Sequence, residues 1–314
     1  MDTVTGYEMT KAMTDNGQYA VVSRFLNEAD WLKTFNAFAG HPRVFFSVGL
    51  GADKVRPELL ESDIALNIAV DIAHGDMEDC HTFTVWLSEQ KFVNHVMSGS
   101  VCTGPAAVRA AQAGCSYIRV GVGPGSVCST RIMTGCGYPQ LSAVYETRRA
   151  LDDLYDFDEN LGVASIVADG GIRHPGDVVK YLSAGADTVM LGSVLGMAIE
   201  APGWVHDGWK PLSESEVVSF PQPEPEPIFV KEYRGQASAS FQRDYGKNND
   251  CPEGVSRMVT YQGDTVESIV RMYTRGISRG VSYVGLDALY MLGPDTVDMV
   301  EITGAGLTES RPQR

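Results

Sequence analysis

The sequence Gly121-Val-Gly-Pro-Gly-Ser-Val-Cys-Ser-Thr-Arg131 combines a sharp backbone turn with a reactive side chain. The run Tyr117–Val120 before it is typical of a short buried strand, and the glycines and proline then force the chain to turn. Cys128 follows the turn, Thr130 lies two residues further on, and a helix is predicted from Tyr138 to Leu151. This order is typical of an α/β enzyme that presents its reactive groups where a strand ends.

Cys128 has a second interpretation, as a structural thiol, because free cysteines are more often buried and inert than reactive. The glycines before it and the hydroxyls beside it favour a reactive role, since a turn packed with small and polar residues is a poor place to bury a thiol. We therefore interpret Cys128 as a candidate nucleophile.

Strands and helices alternate from the start of the chain, and polar or glycine-rich residues repeatedly follow the strands. Seven strands are predicted, at Tyr19–Ser23, Arg43–Val48, Asn67–Asp71, Phe92–Met97, Tyr117–Val120, Val163–Ala168 and Thr188–Leu191. The pattern predicts an α/β fold, a (β/α)8 TIM barrel that is one strand short. A doubly wound sheet would allow any number of strands, but it would not explain why nearly every strand ends in polar groups.

The alternation stops after Gly203, although we assign residues 1–314 to a single barrel domain, with residues 204–262 as an excursion that carries a flap. The later features, in chain order, are a proline-rich spacer at Pro221–Pro227, a strand at Ile228–Tyr233, a polar flap over residues 239–252, a strand at Met258–Tyr261, a helix at Val266–Arg279 and a last strand at Met299–Gly306.

The composition excludes several classes of partner. With 25 Lys and Arg against 40 Asp and Glu, the net charge of −15 argues against nucleic acid and against an anionic membrane surface. An anionic small ligand remains compatible, because glycine-loop amides bind phosphate without help from net charge. None of the 6 cysteines forms a CxxC pair, and no signal peptide is recognisable, so free thiols and a cytoplasmic location are expected.

Residues suited to a phosphate site follow two neighbouring predicted strands. Asp169-Gly170-Gly171 follows one predicted strand and Gly192-Ser193 follows the next. The loops after the last strands of a barrel commonly bind phosphate through backbone amides. Ser126 of the central loop could reach the same group. Each glycine pair alone is also compatible with a simple turn.

The remaining candidates could surround Cys128. A thiolate at Cys128 could attack an electrophilic ring carbon, and Thr130 could relay a proton. Glu253 is a candidate acid or base, although a surface glutamate is the simpler interpretation. Asp71 and His74 follow another strand and could contact a second ligand. The central loop does not match the GxGxxG fingerprint, so a dinucleotide would not bind in the Rossmann mode.

The sequence resembles the IMP dehydrogenase/GMP reductase family over nearly its whole length. The resemblance is carried by Met1-Asp-Thr-Val-Thr5, Asp71-Ile-Ala-His-Gly75, Gly121–Ser142, Ala168-Asp-Gly-Gly-Ile172, Val189-Met-Leu-Gly-Ser193, Tyr233-Arg-Gly235 and Pro252-Glu-Gly254. It implies a barrel that binds a purine nucleoside monophosphate through its phosphate, with a nicotinamide cofactor stacked on the base. The strand missing from the count matches the family's first barrel strand, which lies just before Met1.

The resemblance also assigns roles to individual residues. Cys128 would attack purine C2, assisted by Thr130 and Glu253. Ribose and phosphate would be held by Ser126, Asp169, Gly170, Gly171, Gly192, Ser193 and Tyr233, and the base would face Gly235 and Gln236. The cofactor would contact Asp71, Ile72, Ala73, His74 and Gly123. A potassium ion could bind the carbonyls of Gly123, Gly125 and Cys128, and family members are usually tetramers, which predicts a homotetramer.

The two branches of the family differ in the direction of the reaction. The dehydrogenase oxidises IMP with NAD and activates water with an Arg-Tyr pair on a long flap, whereas the reductase converts GMP to IMP and ammonia with NADPH. The flap here is short and Phe241–Tyr245 has no adjacent Arg-Tyr, which favours the reductase, as do Gly135–Val144 and Pro175–Val178. Asp71–Gly75, Gly192-Ser193 and Glu301–Ser310 look more like the dehydrogenase.

We predict a GMP reductase with NADPH and keep IMP dehydrogenase with NAD as the alternative. Two further alternatives are an inactive nucleotide-binding remnant and another phosphate-binding barrel enzyme that uses a flavin.

Overall fold

Seven short strands form one parallel sheet in which every strand pairs with its neighbours in chain order. The computed structural model describes residues 1–158, 162–203, 205–209, 227–246, 250–261 and 263–309. The strands are β1 (Ala20–Val22), β2 (Val44–Val48), β3 (Leu66–Val70), β4 (Val93–Val101), β5 (Tyr117–Val120), β6 (Ser165–Asp169) and β7 (Thr188–Met190). The order β1 to β7 is that of consecutive strands of a barrel, and it confirms the predicted barrel that is one strand short among the described residues.

Helices alternate with these strands, as a (β/α)8 barrel requires. They are α1 (Tyr7–Asp15), α2 (Glu28–Phe38), α3 (Pro57–Leu60), α4 (Glu78–Ser88), α5 (Gly104–Gln112), α6 (Thr130–Thr134), α7 (Gln140–Phe157), α8 (Pro175–Ser183), α9 (Ser193–Gly196), α10 (Ala239–Asp244), α11 (Val266–Tyr283) and α12 (Gly304–Glu309). Short 3-10 turns occur at Ala52–Lys54 and Leu289–Met291. Within the described ranges, no helix is both long and apolar enough to cross a membrane.

The sheet is open between its first and last strands, since β1 and β7 do not pair with each other in the described part of the chain. Helices α1 and α11 pack against each other. Met9 and Met13 of α1 and Ile269 and Tyr273 of α11 line the cavity inside the sheet. The apolar positions of α11 recur at helical spacing, so the same face of the helix is buried along its length. These two helices therefore cover the open side of the sheet.

The excursion forms a separate antiparallel sheet of three strands, β8 (Val205–Trp209), β9 (Pro227–Arg234) and β10 (Ser256–Tyr261), with β9 in the middle. Lys231 of β9 is buried, and its ammonium donates to the carbonyls of Ala198 and Ala201. These bonds anchor β9 to the turn that follows α9. Strand β9 thus delivers Tyr233 and Arg234 to the carboxyl end of the barrel.

One prediction for the later part of the chain is wrong. The predicted last strand at Met299–Gly306 is not formed, because α12 begins at Gly304 and the residues before it have no regular structure. The predicted polar flap begins with α10, and Ser238 caps this helix through its hydroxyl, which accepts a hydrogen bond from the Phe241 amide. Phe241 is buried against Phe25, with ring centroids 4.7 Å apart, and this contact fixes the helix. Residues 221–226 of the spacer and residues 247–249 of the flap lie outside the described part of the chain.

Gly121 joins β5 to the central loop at a point where no larger residue fits. Its φ is +151°, and a Cβ atom there would lie 2.3 Å from the Asp169 carbonyl oxygen. We expect Gly121→Ala to destabilise the fold by about 2 kcal/mol or more, because β5 and β6 would have to move apart. Urea unfolding measures this loss. Gly176→Ala, where nothing lies within 4 Å, is the control and should stay within about 0.5 kcal/mol; equal losses in both variants would contradict the explanation.

Candidate active site

A cavity of about 700 Å³ lies inside the curled sheet and reaches the carboxyl ends of its strands. The residues that the sequence assigned to catalysis, substrate, cofactor and ion line this cavity, with one exception. They are Asp71, Ile72, Ala73, Gly123, Gly125, Ser126, Cys128, Thr130, Asp169, Gly170, Gly171, Gly192, Ser193, Tyr233, Gly235, Gln236 and Glu253. The exception is His74, which is exposed and does not line the cavity.

Cys128 is exposed, and its thiol donates a hydrogen bond to the hydroxyl of Thr130 over 3.2 Å. Its loop is held by the segment that carries Glu253. The Ser129 amide donates to the Glu253 carbonyl over 2.8 Å, and the Val255 amide donates to the Val127 carbonyl over 2.8 Å. The nucleophile candidate, its hydroxyl neighbour and the acid-base candidate are therefore brought together, as the sequence predicted, from parts of the chain far apart in sequence.

A third segment, which carries Gly235 and Gln236, packs against the same loop. A Cβ atom on Gly235 would lie 3.4 Å from the Val127 carbonyl oxygen. A Cβ atom on Gly254 would lie 3.0 Å from the Ser238 amide nitrogen. Gly254 thus allows a close approach of the backbones, Gly235 lies in van der Waals contact with Val127, and three loops converge on the side of the cavity where Cys128 lies.

The predicted phosphate residues lie beside the central loop. The ring of Tyr233 lies against Gly192 and Gly196, where added Cβ atoms would come within 2.7 and 2.8 Å of it. Its hydroxyl donates to the Met1 sulfur over 3.7 Å, and burial, the largest influence, raises the pKa of Tyr233 to about 12. The phenol therefore stays protonated at neutral pH and can donate to an anion. Gly171, with φ of +79°, brings the loop after β6 against Pro124 of the central loop.

A buried ionic network crosses the floor of the site. The guanidinium of Arg119, on β5, lies 3.6 Å from the Asp71 carboxylate and 3.9 Å from that of Asp169. It also donates to the Ile72 carbonyl over 3.1 Å. Arg24, which follows β1, lies 3.8 Å from Asp71. The two carboxylates assigned to cofactor and ribose are therefore linked by a shared cation.

The two carboxylates respond differently to this environment. Burial is the largest influence and acts to raise the pKa of Asp71, but the charges of Arg119, the amino terminus and Arg24, together with the hydrogen bond from Gln236, outweigh it, and the pKa is lowered overall. Burial raises the pKa of Asp169, and the negative charge of Asp71 adds to that effect against the opposing charge of Arg119. Asp71 therefore keeps its negative charge to lower pH than Asp169 does.

Arg119 is the residue that sequence reasoning missed. The run Tyr117–Val120 was interpreted as apolar, although its third residue is this arginine. A charge inside a short buried strand was the available signal, because an arginine is rarely buried unless it is paired. Nothing in the sequence showed that its partners would be Asp71 and Asp169.

The carbonyls predicted to hold potassium are only partly suited to an ion. The Gly125 carbonyl already accepts the Cys128 amide over 3.0 Å. The side chain of Arg131 lies across Gly123, and its guanidinium donates to the carbonyls of Val122 and Tyr138. The positively charged guanidinium of Arg131 therefore lies beside the loop. Among the described residues, no group of three or more His, Cys, Asp or Glu side chains is placed to hold a metal.

The raised pKa of Asp169 predicts a pH dependence. As the pH falls, Asp169 takes up a proton at a higher pH than an ordinary aspartate and loses the charge that, by the predicted role, would accept ribose hydroxyls. We expect kcat/KM for the nucleotide to fall on the acid side with a midpoint above 3.8, the ordinary value for the group. Asp169→Asn should give a low kcat/KM without this acid limb; a limb that persists in the variant would assign it to another group.

Comparison with known proteins agrees with this geometry. The family model described as the IMP dehydrogenase / GMP reductase domain matches residues 1–313. Inosine-5'-monophosphate dehydrogenase of Halalkalibacterium halodurans is 36% identical over 279 residues, which cover 85% of this chain and 51% of that protein. The enzymes of that name from Nitrosopumilus maritimus and Escherichia coli K12 are both 32% identical, with 57% and 52% of their lengths covered.

The chain therefore belongs to the IMP dehydrogenase/GMP reductase family, and it spans about half the length of the curated relatives it matches. The prediction that it stands closer to the reductase branch is not confirmed, since these relatives are named as dehydrogenases.

Proposed function

We propose that this member of the IMP dehydrogenase/GMP reductase family oxidises IMP to XMP with NAD, through a covalent bond between Cys128 and purine C2. The observation that carries the proposal is the exposed Cys128 thiol, bonded to Thr130 and set between the Glu253 and Gly235 loops in one cavity. The relatives named inosine-5'-monophosphate dehydrogenase support the direction of the reaction.

The chain's own residues have defined tasks in this proposal. Ser126, Tyr233 and the glycine loops hold the phosphate, and Asp169 accepts hydrogen bonds from the ribose. The Cys128 thiol loses its proton by way of the Thr130 hydroxyl, and its sulfur bonds to C2 of the base. Two electrons and the C2 hydrogen then leave the purine as hydride. Water displaces the sulfur in the second half-reaction and leaves an oxygen on C2.

Asp71 fits the nicotinamide cofactor that accepts the hydride, because its carboxylate faces the cavity and stays ionised. Ile72 and Ala73 line the same wall. Bound NAD would supply the hydride acceptor. The proposal includes no potassium ion, because the candidate carbonyls are partly engaged and Arg131 already places a positive charge beside them.

GMP reduction with NADPH is the second candidate, and the flap is the observation that favours it. The segment from Ser238 to Gly254 contains Arg243 and Tyr245 but no adjacent Arg-Tyr pair for activating water. Tyr245 instead donates its hydroxyl proton to the Phe25 carbonyl over 2.8 Å. In this candidate, ammonia leaves C2 and a hydride arrives there, and no water is consumed.

Two assays separate the candidates, each followed by the absorbance of reduced nicotinamide. IMP with NAD should produce reduced cofactor together with XMP, identified by chromatography. GMP with NADPH should consume reduced cofactor and release ammonia if the second candidate holds. Turnover in the second assay alone would replace the proposed direction. Nucleotide binding without turnover in either assay would identify a binding remnant and refute both.

A further inference from the structure

The amide of Gln236 bonds the loop that faces the base to the carboxylate that faces the cofactor. Its Nε2 donates to Asp71 Oδ2 over 2.7 Å, across 165 residues of sequence. In the described part of the chain this is the one direct hydrogen bond to that carboxylate, because Arg119 and Arg24 approach it only to 3.6 and 3.8 Å. The orientation of Asp71 therefore depends on Gln236 more directly than on either arginine.

Gln236 is also tied to the nucleotide side of the cavity. It follows Gly235, whose backbone packs against Val127 of the Cys128 loop. The next turn begins with Ser238, which forms a β-bridge with Gly254, the residue after Glu253. A nucleotide held between these loops would fix the backbone of Gln236, and the fixed amide would hold Asp71 in one orientation.

We propose that Gln236 is a positioning residue that couples nucleotide binding to dinucleotide binding through Asp71. The inference rests on the proposed function, because it takes the loop of Gly235 as the base side and Asp71 as the cofactor side. Arg119 extends the connection to Asp169, since it lies between the two carboxylates. A nucleotide that orders the Gly235 loop would fix the orientation of the Asp71 carboxylate on the cofactor side. Each ligand should therefore bind more tightly when the other is present.

The test is a binding cycle for IMP and NAD, measured by calorimetry in the Cys128→Ala background, which blocks turnover. If only GMP and NADPH turn over, that pair is used instead. The coupling factor is the ratio of the dinucleotide Kd without nucleotide to its Kd with saturating nucleotide. Gln236→Met keeps the length of the side chain and removes the donor. We expect this variant to lower the coupling factor at least about fivefold and to change the nucleotide Kd alone by about twofold or less.

Two further variants test whether the loss of coupling is specific to the Gln236 amide. Gln236→Glu places a carboxylate against Asp71 and should lower the coupling factor at least as far as Gln236→Met. Gln90→Met is the control, because Gln90 lies away from the cavity and bonds the Trp86 carbonyl over 2.7 Å. It should leave the coupling factor and the turnover unchanged. In the active protein, Gln236→Met should raise KM for the dinucleotide more than it lowers kcat.

Equal coupling factors in the parent protein and the Gln236→Met variant would overturn the inference, as would a coupling factor of one in the parent. A parallel weakening of both ligands would also overturn it, because it would indicate a structural role only. Turnover by the parent protein is recorded separately. The proposed function can therefore stand while this inference fails, and the binding cycle still reports on coupling if turnover fails.

Discussion

Cys128→Ala is expected to lower kcat/KM by on the order of 10⁴-fold or more, while the Kd for the nucleotide changes by no more than about threefold. The loss follows from the role of the sulfur, which makes a bond that the Thr130 hydroxyl cannot make in its place. Nucleotide affinity should survive, since other residues that line the cavity, among them Ser126, Asp169 and Tyr233, would hold the phosphate and the ribose. Steady-state kinetics and calorimetry measure the two quantities.

The exposure of the thiol allows a second measurement. Iodoacetamide should alkylate Cys128, and saturating nucleotide should protect it, as read by peptide mass spectrometry. Cys136→Ala is the matched control, because Cys136 is an exposed cysteine that follows the central loop and does not line the cavity. It should keep turnover within about twofold, as surface changes away from the site usually do.

A Cys128→Ala protein with a kcat close to that of the parent would eliminate covalent catalysis. A large rise in the nucleotide Kd in the same variant would instead show that the thiol serves mainly in binding. Protection of Cys136 rather than Cys128 by nucleotide would contradict the proposed position of the base beside Cys128.

The barrel strands were the most predictable part of the chain. Strands such as β2 and β3 are short runs of buried residues. Polar residues or glycines, such as Asp71 and Gly170, follow the strands. Both a strand and its end can therefore be recognised from the local sequence. The predicted and observed strand boundaries agree within about two residues, except that β4 ends at Val101 instead of Met97.

Features that depend on distant partners were not predictable. Phe241 stands in a mainly polar segment that gave little indication of α10, and the ring that buries it, Phe25, lies far away in the sequence. Arg119 similarly has partners that follow or end two other strands. Gln236 was assigned to the base, and only the structure shows that its amide bonds Asp71.

Arg119→Met is expected to cause the largest loss of stability, about 3–5 kcal/mol in the free energy of unfolding. The guanidinium lies between two carboxylates whose side chains are only 18% and 27% exposed. Water therefore cannot fully solvate these carboxylates when the guanidinium is removed. Arg24 remains beside Asp71, so most of the unpaired charge would fall on Asp169. Urea unfolding at neutral pH measures the loss.

The explanation by charge pairing also predicts how the stability of the Arg119→Met variant depends on pH. Because the penalty arises from an ionised Asp169, the difference in stability between the parent and Arg119→Met should shrink as the pH falls and the carboxylate takes up a proton. Adding Asp169→Asn should recover part of the loss at neutral pH. Arg271→Met, which breaks an exposed pair with Glu267 on α11, should cost less than about 0.5 kcal/mol. A deficit that is independent of pH and unaffected by Asp169→Asn would show that Arg119 stabilises the barrel by packing, and that the two carboxylates do not share its charge.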